Sequence, residues 1–600
     1  MRYQVSCTAA DSQQLHHHVH RSPRNRRTNL HDRDLRALAA ANNWSIDPGS
    51  LNESAFLLFA NSFDATCQAI ANLPEYQDPR LKPQVVESTE RSYYHPDQEE
   101  NPLNAWAQRT TLKLPHAKGK LSGRTIAFKD NVSIAGLPLG LGCSPALLKG
   151  DEHPISTIDA PIVSRVLAAG GTVKGTATCE NLSMFPLSFT ADSGIVRNAW
   201  NPDYATGGSS SGSAVAVSVG DVLESRNRGK DRSSHPLGEA ADMAVGGDQG
   251  GSIRLPAAYS GVYGLKPTHG LVPYTGIASL NPLIDHTGPM TRSIDDAALL
   301  LSVIAGYDGI DPRATPETPL PSRVPEYLSD LQAWVSSKQE AGTWTPSSAA
   351  QGLRIGVLKQ SFEVPGLDPR IAATVRKAIE RFGALGAEVK DVSIPLHAHG
   401  AAIWTVAARP QMPGSLANQP PALLSHPLPL LDPKATDQEF YETLAHRNPA
   451  VLNVFINVAH LQQKYGPALV RKAHMHVWEL RAAYDAALED CDVLITPLNP
   501  TVAPQHPAST VETEGNPRGE SERVMDLFEP AVGNAVNTCP FNVTGHPAMS
   551  VPVGWGKVKE EEEESVRLPV AMQVVAKRFG EGAIFRAVKA WEVGGHWTES

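Results

Sequence analysis

The sequence predicts an α/β protein whose core is one large sheet covered by helices on both faces. Three observations carry that expectation. From about Leu121 onward, short apolar runs alternate with amphipathic helical segments, with glycines between them; strand, helix, strand order of this kind buries both faces of a sheet. Hydrophobic residues make up 41% and charged residues 19% of the chain, a balance that can fill such a core. A length of 600 residues exceeds what one compact core usually holds, so an appended segment is expected beside the main domain.

Residues 1–40 read as a disordered basic tail, because "HHHVHRSPRNRRTNLHDRDLR", 16–36, lacks the amphipathic spacing of a transit peptide. Residues 41–100 read as a helical lead-in and connector: Leu51, Phe56, Phe59 and Phe63 fall roughly on one helix face, and a polar, proline-punctuated stretch follows. The main domain is expected over 101–600. "TIAFK" and "TVKGTA" read as strands flanking the helix "PIVSRVLAAGG", with Asp159 at its cap and Gly170 at its stop. "LRIGVL", "AEVKDVSI", "CDVLITP", "AMSVPV" and "VAMQVVA" continue the strands. After Asp368, Ile371, Val375, Ala378, Ile379, Phe382 and Leu385 recur at steps of three and four, a core-facing helical stripe. Polar loops are expected near 224–240, 512–523 and 557–565, while 400–450 shows no pattern that places it.

Formal charge is −10, so nothing global draws the chain to nucleic acid or anionic membrane. Six dispersed cysteines (Cys7, Cys67, Cys143, Cys179, Cys491 and Cys539) form no CxxC pair, which argues for a reducing compartment and against a metal knuckle. With no apolar run of membrane-spanning length and no signal core, a cytoplasmic protein is expected.

The chemistry concentrates in three stretches. In "GGDQGGSIR", 246–254, the glycines around Asp248 let successive N–H groups converge beside Ser252, which is what acyl transfer needs: a nucleophile next to donors for a developing oxyanion. Serine needs a base, and Lys129, ending "TIAFK", serves if it is buried and neutral; a solvated, salt-bridged lysine is the alternative. "TGGSSSGSA", 206–214, contains G-x-S-x-G but lacks the preceding buried strand of a nucleophile elbow, and it lacks the G-K-[ST] of a phosphate loop. Residue chemistry alone therefore reaches a serine hydrolase with its base unassigned. His286 and His546 have glycine- and proline-flanked contexts that suit structural hydrogen bonding.

Taken together, "AFKDNV", "TGGSSSGSA", "GGDQGGSIRLPAAYSGVYGLKPTHG", "DHTGPMTRSIDDAALLL" and "NTCPFNVTGHPAMSVPVG" resemble the hallmark segments of the amidase signature hydrolases over roughly residues 100–595. They look most like the nitrile-pathway bacterial amidases and their fungal relatives. The resemblance implies a large mixed sheet and hydrolysis of a small-molecule amide through an acyl-enzyme, with no cofactor. It assigns Ser252 as nucleophile, Ser209 as a bridging serine after a cis peptide and Lys129 as base. Gln249, Gly250, Gly251 and Ser252 become the oxyanion hole, Ser183 and Met184 line the substrate, and Asp248 and Arg254 form a supporting ion pair. The interval from Ser209 to Ser252 is longer than usual in that family, with the surplus at 224–240. Alternatives on the same fold are a glutaminase-type component of an amidotransferase, a carbamate or ester hydrolase, or a non-catalytic binding protein that keeps the fold. A homodimer is compatible with all of them.

Overall fold

The computed structural model describes residues 30–74, 76–86, 91–148, 150–231, 233–419, 423, 428, 434–507, 520–558 and 566–599. The chain divides into two units, one up to Asp78 and one from Pro79 onward. In the first, Ser50 caps the helix Leu51–Ala71 by accepting from the Glu53 N–H, and Asn61 ties that helix to Leu30. Leu51, Phe56, Phe59 and Phe63 are exposed on it. Residues 32–40, placed in the tail by the sequence reading, join Ala41 in the helix Asp32–Ala41, whose first turn carries Asp32 and Asp34, where carboxylates favour the positive end of the dipole. The remainder of the expected tail, 1–29, lies outside the described residues.

The second unit holds eleven strands among its described residues: β1 (Trp106–Leu112), β2 (Thr125–Lys129), β3 (Thr172–Ala177), β4 (Met243–Asp248), β5 (Tyr263–Lys266), β6 (His286–Thr291), β7 (Arg354–Leu358), β8 (Glu388–Val392), β9 (Val493–Pro497), β10 (Ala548–Lys557) and β11 (Arg567–Val575). They form one mixed sheet ordered β1-β3-β2-β4-β6-β5-β10-β11-β9-β7-β8. β3, β2 and β4 run parallel, as do β9, β7 and β8, while the middle of the sheet is antiparallel. The strands near the centre are buried almost throughout and mostly apolar, because with both faces covered neither can alternate with solvent.

Two helices show how the sequence sets this up. Asp368 caps the helix Pro369–Ala384 by accepting from the Arg370 N–H at 2.8 Å, and Ile371, Val375, Ala378, Ile379 and Phe382 are buried; each large apolar side chain so buried contributes about 1.5–3 kcal/mol. The helix Ser211–Asn227 is different, being enclosed on all sides from Ser211 to Val219, which its run of Ser, Gly, Ala and Val permits. Asp159 is not the cap of the helix Pro161–Ala168: Ala160 takes that place, and the Asp159 carboxylate is gripped by Arg91 at 2.7 Å and by the Ala135 N–H. An ion pair with a guanidinium outcompetes a cap bond.

The stretch from 400 to 450 is helical at Gly400–Ala408, Met412–Leu416 and Gln438–Arg447. Of the expected loops, 224–227 belong instead to the end of the helix Ser211–Asn227, and 520–523 open a helix that runs to Phe528; 508–519 and 559–565 lie outside the described residues. Beyond Asn227 the polar stretch folds around Arg226, which bonds Asp231, Ser233 and the His235 carbonyl. The following strand β4 is seated in register beside β2, with Ile126 opposite Met243. The surplus residues therefore do not displace the backbone that leads to Ser252.

Candidate active site

Three chain segments meet at one end of β2 and β4. β2 lies between β3 and β4, so its last residue, Lys129, is walled in and fully buried. Its Nζ lies 2.7 Å from Ser209 Oγ. Burial lowers its pKa from 10.5 to about 8, against the opposing pull of Cys179, Asp248 and Glu180.

Ser209 follows a cis Gly208–Ser209 peptide bond. A Cβ at Gly208 would stand 2.2 Å from the Leu187 carbonyl oxygen, so nothing larger than glycine fits. The loop is then fixed from three directions. The Ser209 carbonyl accepts from the Glu180 N–H at 3.2 Å, the Ser210 N–H donates to the Ser252 carbonyl at 3.2 Å, and Ser210 Oγ bonds the Gly247 carbonyl at 3.1 Å. Ser211 opens the buried helix and donates to Glu180 Oε1 at 2.8 Å. Glu180 also accepts from the Thr190 N–H and hydroxyl, yet burial outweighs these bonds and lifts its carboxyl to about 7.

After β4 the chain turns through Gln249, Gly250 and Gly251 to Ser252. Asp248 and Arg254 face each other across this turn, both fully buried, with Nε to Oδ2 and Nη2 to Oδ1 each 3.0 Å. Asp248 also accepts from the Ile253 N–H and from Asn542 Nδ2 at 2.8 Å. Burial alone would push its carboxyl up, but Arg254 and Asn542 together hold it down to about 2. The guanidinium is completed by Gln573, Asn542 and the Thr538 carbonyl. On the turn itself, Trp404 Nε1 donates to the Gln249 carbonyl at 2.9 Å and Thr538 Oγ1 to the Gly250 carbonyl at 2.6 Å. With the carbonyls drawn outward, the N–H groups of Gly250, Gly251 and Ser252 donate to no described residue. Gly251 has φ +144°, and a Cβ there would be 2.6 Å from Thr538 Oγ1.

Ser252 and Gly250 border a cavity of about 440 Å³. Ser183 and Met184 line it too; Leu182 and Ser183 both have positive φ, and Asn448 Nδ2 holds the Met184 carbonyl at 2.8 Å. Opposite stand Trp404, Thr405, Arg409 and Met412 from the helical 400–416 stretch, with Val454 and Val536. Of the sequence-predicted site residues, Ser183, Met184, Gln249, Gly250 and Ser252 line the cavity, while Lys129, Ser209, Asp248, Gly251 and Arg254 are not among its lining residues. Sequence reasoning did not find Glu180, Trp404, Arg409, Thr538 or Asn542. Thr538 and Asn542 lie within the "NTCPFNVTGHP" segment that carried the resemblance, whereas Trp404 and Arg409 carry no local signal. His286 is on a strand rather than in a loop, since β6 pairs with both β4 and β5; its Nδ1 lies 2.8 Å from the Ile284 carbonyl. His546 is held between Thr544 and Asp485.

Among the described residues no group of three or more His, Cys, Asp or Glu side chains is placed to hold a metal, and no helix is long and apolar enough to cross a membrane. The family model described as Amidase matches residues 91–225 and 238–585, pausing where the polar stretch lies. An enantioselective amidase from Rhodococcus rhodochrous is 34% identical over 543 residues, covering 89% of this chain and 90% of its own. The A component of a glutamyl-tRNA(Gln) amidotransferase from a Synechococcus strain is 30% identical over 481 residues, covering 79% and 84%. Among solved structures, the peptide amidase of Stenotrophomonas maltophilia superposes with a TM-score of 0.51 at 25% identity, covering 79% of this chain and 83% of its own. A bacterial aryl acylamidase shares the fold with a TM-score of 0.57 at 21% identity, covering 80% and 83%. With the mixed sheet, the serine–glycine turns and a family match across most of the chain in agreement, the protein belongs to the amidase signature family and is an amide hydrolase.

Proposed function

We propose that this chain cleaves a small-molecule carboxylic amide through an acyl-enzyme on Ser252. Ser252 Oγ attacks the amide carbonyl while its proton passes to Ser209, whose own proton goes to neutral Lys129 Nζ. The carbonyl oxygen becomes an oxyanion facing the N–H groups of Gln249, Gly250, Gly251 and Ser252, donors fixed before reaction. The ammonium of Lys129 then returns a proton through Ser209 to the leaving amine, the C–N bond breaks, and water attacks the ester by the same route in reverse. Asp248 and Arg254 touch no reacting atom; they hold the turn.

The observation that carries this reading is the 2.7 Å contact between a fully buried lysine and Ser209, on a loop bonded directly to Ser252. A cavity of about 440 Å³ suits a small substrate. Ser252→Ala is expected to lose covalent labelling by a fluorophosphonate and at least about a thousandfold in amide turnover. Normal turnover in that variant refutes the assignment. The similarity to amidotransferase components supports a second reading, a glutaminase role within a larger complex, which requires a partner chain to co-purify and stimulate ammonia release from glutamine.

A further inference from the structure

Arg409 is the one charged side chain among the described residues that line the cavity. Its Nε is buried and has no hydrogen-bond partner, and no carboxylate among the described residues pairs with it. The contrast with the arginines held in buried ion pairs is sharp. Arg254 grips Asp248, Arg313 grips Asp285 and Arg91 grips Asp159. Arg409 is partly buried; a guanidinium even partly withdrawn from water without a counter-charge is unfavourable, and that burial lowers its pKa. No carboxylate lines the cavity's other walls, which carry the apolar Met184, Leu255, Leu280, Met412, Val454 and Val536 beside a few neutral polar residues such as Gln249 and Asn453.

We propose that Arg409 receives a carboxylate carried by the substrate, so that the enzyme prefers amides bearing an anionic group remote from the scissile bond. The inference rests on Ser252 as the reacting centre of the same cavity. A planar fork of N–H donors matches a carboxylate two bonds at a time, a geometry that lysine does not reproduce. The apolar walls then take the hydrocarbon spacer between the amide and the acid. Monoamides of short dicarboxylic acids have this form: an amide at one end, methylenes, and a carboxylate at the other. A neutral amide of equal length leaves the guanidinium unpaired, so discrimination arises from what the wrong substrate fails to satisfy.

The test compares the four- to six-carbon dicarboxylic monoamides with the neutral aliphatic amides of the same length. The wild type is expected to favour at least one anionic member by tenfold or more in kcat/KM. In Arg409→Met that ratio should fall to within about twofold of unity, and Arg409→Lys should retain part of it. Absence of a preference in the wild type, or an unchanged ratio in Arg409→Met, overturns the proposal. Binding separates its failure from failure of the Ser252 assignment. By calorimetry, glutarate should bind Ser252→Ala at least tenfold more tightly than Ser252→Ala/Arg409→Met, whichever residue is the nucleophile; equal binding also overturns it. Labelling of Ser252 by a fluorophosphonate reports on the nucleophile without reference to Arg409.

Discussion

Lys129 is placed where an ammonium is disfavoured, and a base acts only when it is unprotonated. With its pKa lowered from 10.5 to about 8 by burial, about one amine in a hundred is neutral at pH 6, and about half are at pH 8. Amide turnover should therefore climb about tenfold per pH unit below 8 and level off above it. A rate profile flat between pH 5.5 and 7.5 would remove Lys129 as base. Lys129→Arg should be as inactive as Lys129→Ala, both down about 10²–10⁴-fold, since guanidinium keeps its proton. Substitution of the two adjacent serines separates their roles: Ser209→Ala removes the group 2.7 Å from Nζ, whereas Ser210→Ala removes only bonds to Gly247, so the first should cost at least tenfold more activity by steady-state kinetics. Ser252 stood out in the sequence because glycines crowd before it; Lys129 stood out only as the end of an apolar strand, and its role as base came with the family resemblance. Arg409 did not, because it shares the cavity with Ser252 from 157 positions away in the chain, and no local period records that distance.

At the scale of elements, the strands missed by pattern are instructive. β6, His286–Thr291, carries Gly288 and Pro289 inside a fully buried strand paired on both sides, and those residues depress strand propensity. Packing between β4 and β5 overrides that preference. β8 is an edge strand, largely exposed and carrying Glu388, Lys390 and Asp391, charges of the kind that blunt a sheet edge. The helix Pro369–Ala384 was legible in full, since its 3.6-residue stripe and Asp368 cap are local properties. The polar stretch after Asn227 bonds mainly to Arg226, with His235 reaching the Ala199 carbonyl at 2.9 Å and Glu239 pairing with Lys174 at 3.0 Å. Replacing residues 228–234 by a glycine–serine stretch of equal length removes the partly exposed Arg226–Asp231, Arg228–Glu224 and Lys230–Glu599 pairs, each worth about 1 kcal/mol or less. Turnover is expected to stay within about threefold, with a small drop in melting temperature. Loss of both folding and activity would mean that this stretch supports the site.

Across the whole molecule, the turn after β4 is tied to the opposite part of the sheet. β4 and β11 are separated by β6, β5 and β10 in the strand order, yet Arg254 spans the gap below the turn, bonding Asp248 at the end of β4 and Gln573 in β11 at 2.6 Å. Gln573 in turn donates to Thr496 in β9 and to the Asn537 carbonyl. One buried cation thereby couples the loop bearing Ser252 to three strands and to the segment 537–542. Arg254→Met fills the space but leaves Asp248 buried without its counter-charge, which costs about 3–5 kcal/mol where a buried pair is broken from one side. Denaturant unfolding should register that loss, and fluorophosphonate labelling of Ser252 should slow because the Asp248 bond to the Ile253 N–H no longer has a fixed acceptor. Asp248→Leu/Arg254→Met removes both charges and should recover much of the stability without recovering the labelling rate, which distinguishes support of the turn from support of the core. The sign of the pH dependence follows from Asp248. Its folded pKa, about 2, lies below the ordinary 3.8, so the pair's contribution is present above pH 4 and is lost as pH falls toward 2. The stability difference between wild type and Asp248→Asn should shrink across that window; a difference that stays constant down to pH 2 would show that the carboxylate charge is not what holds the turn.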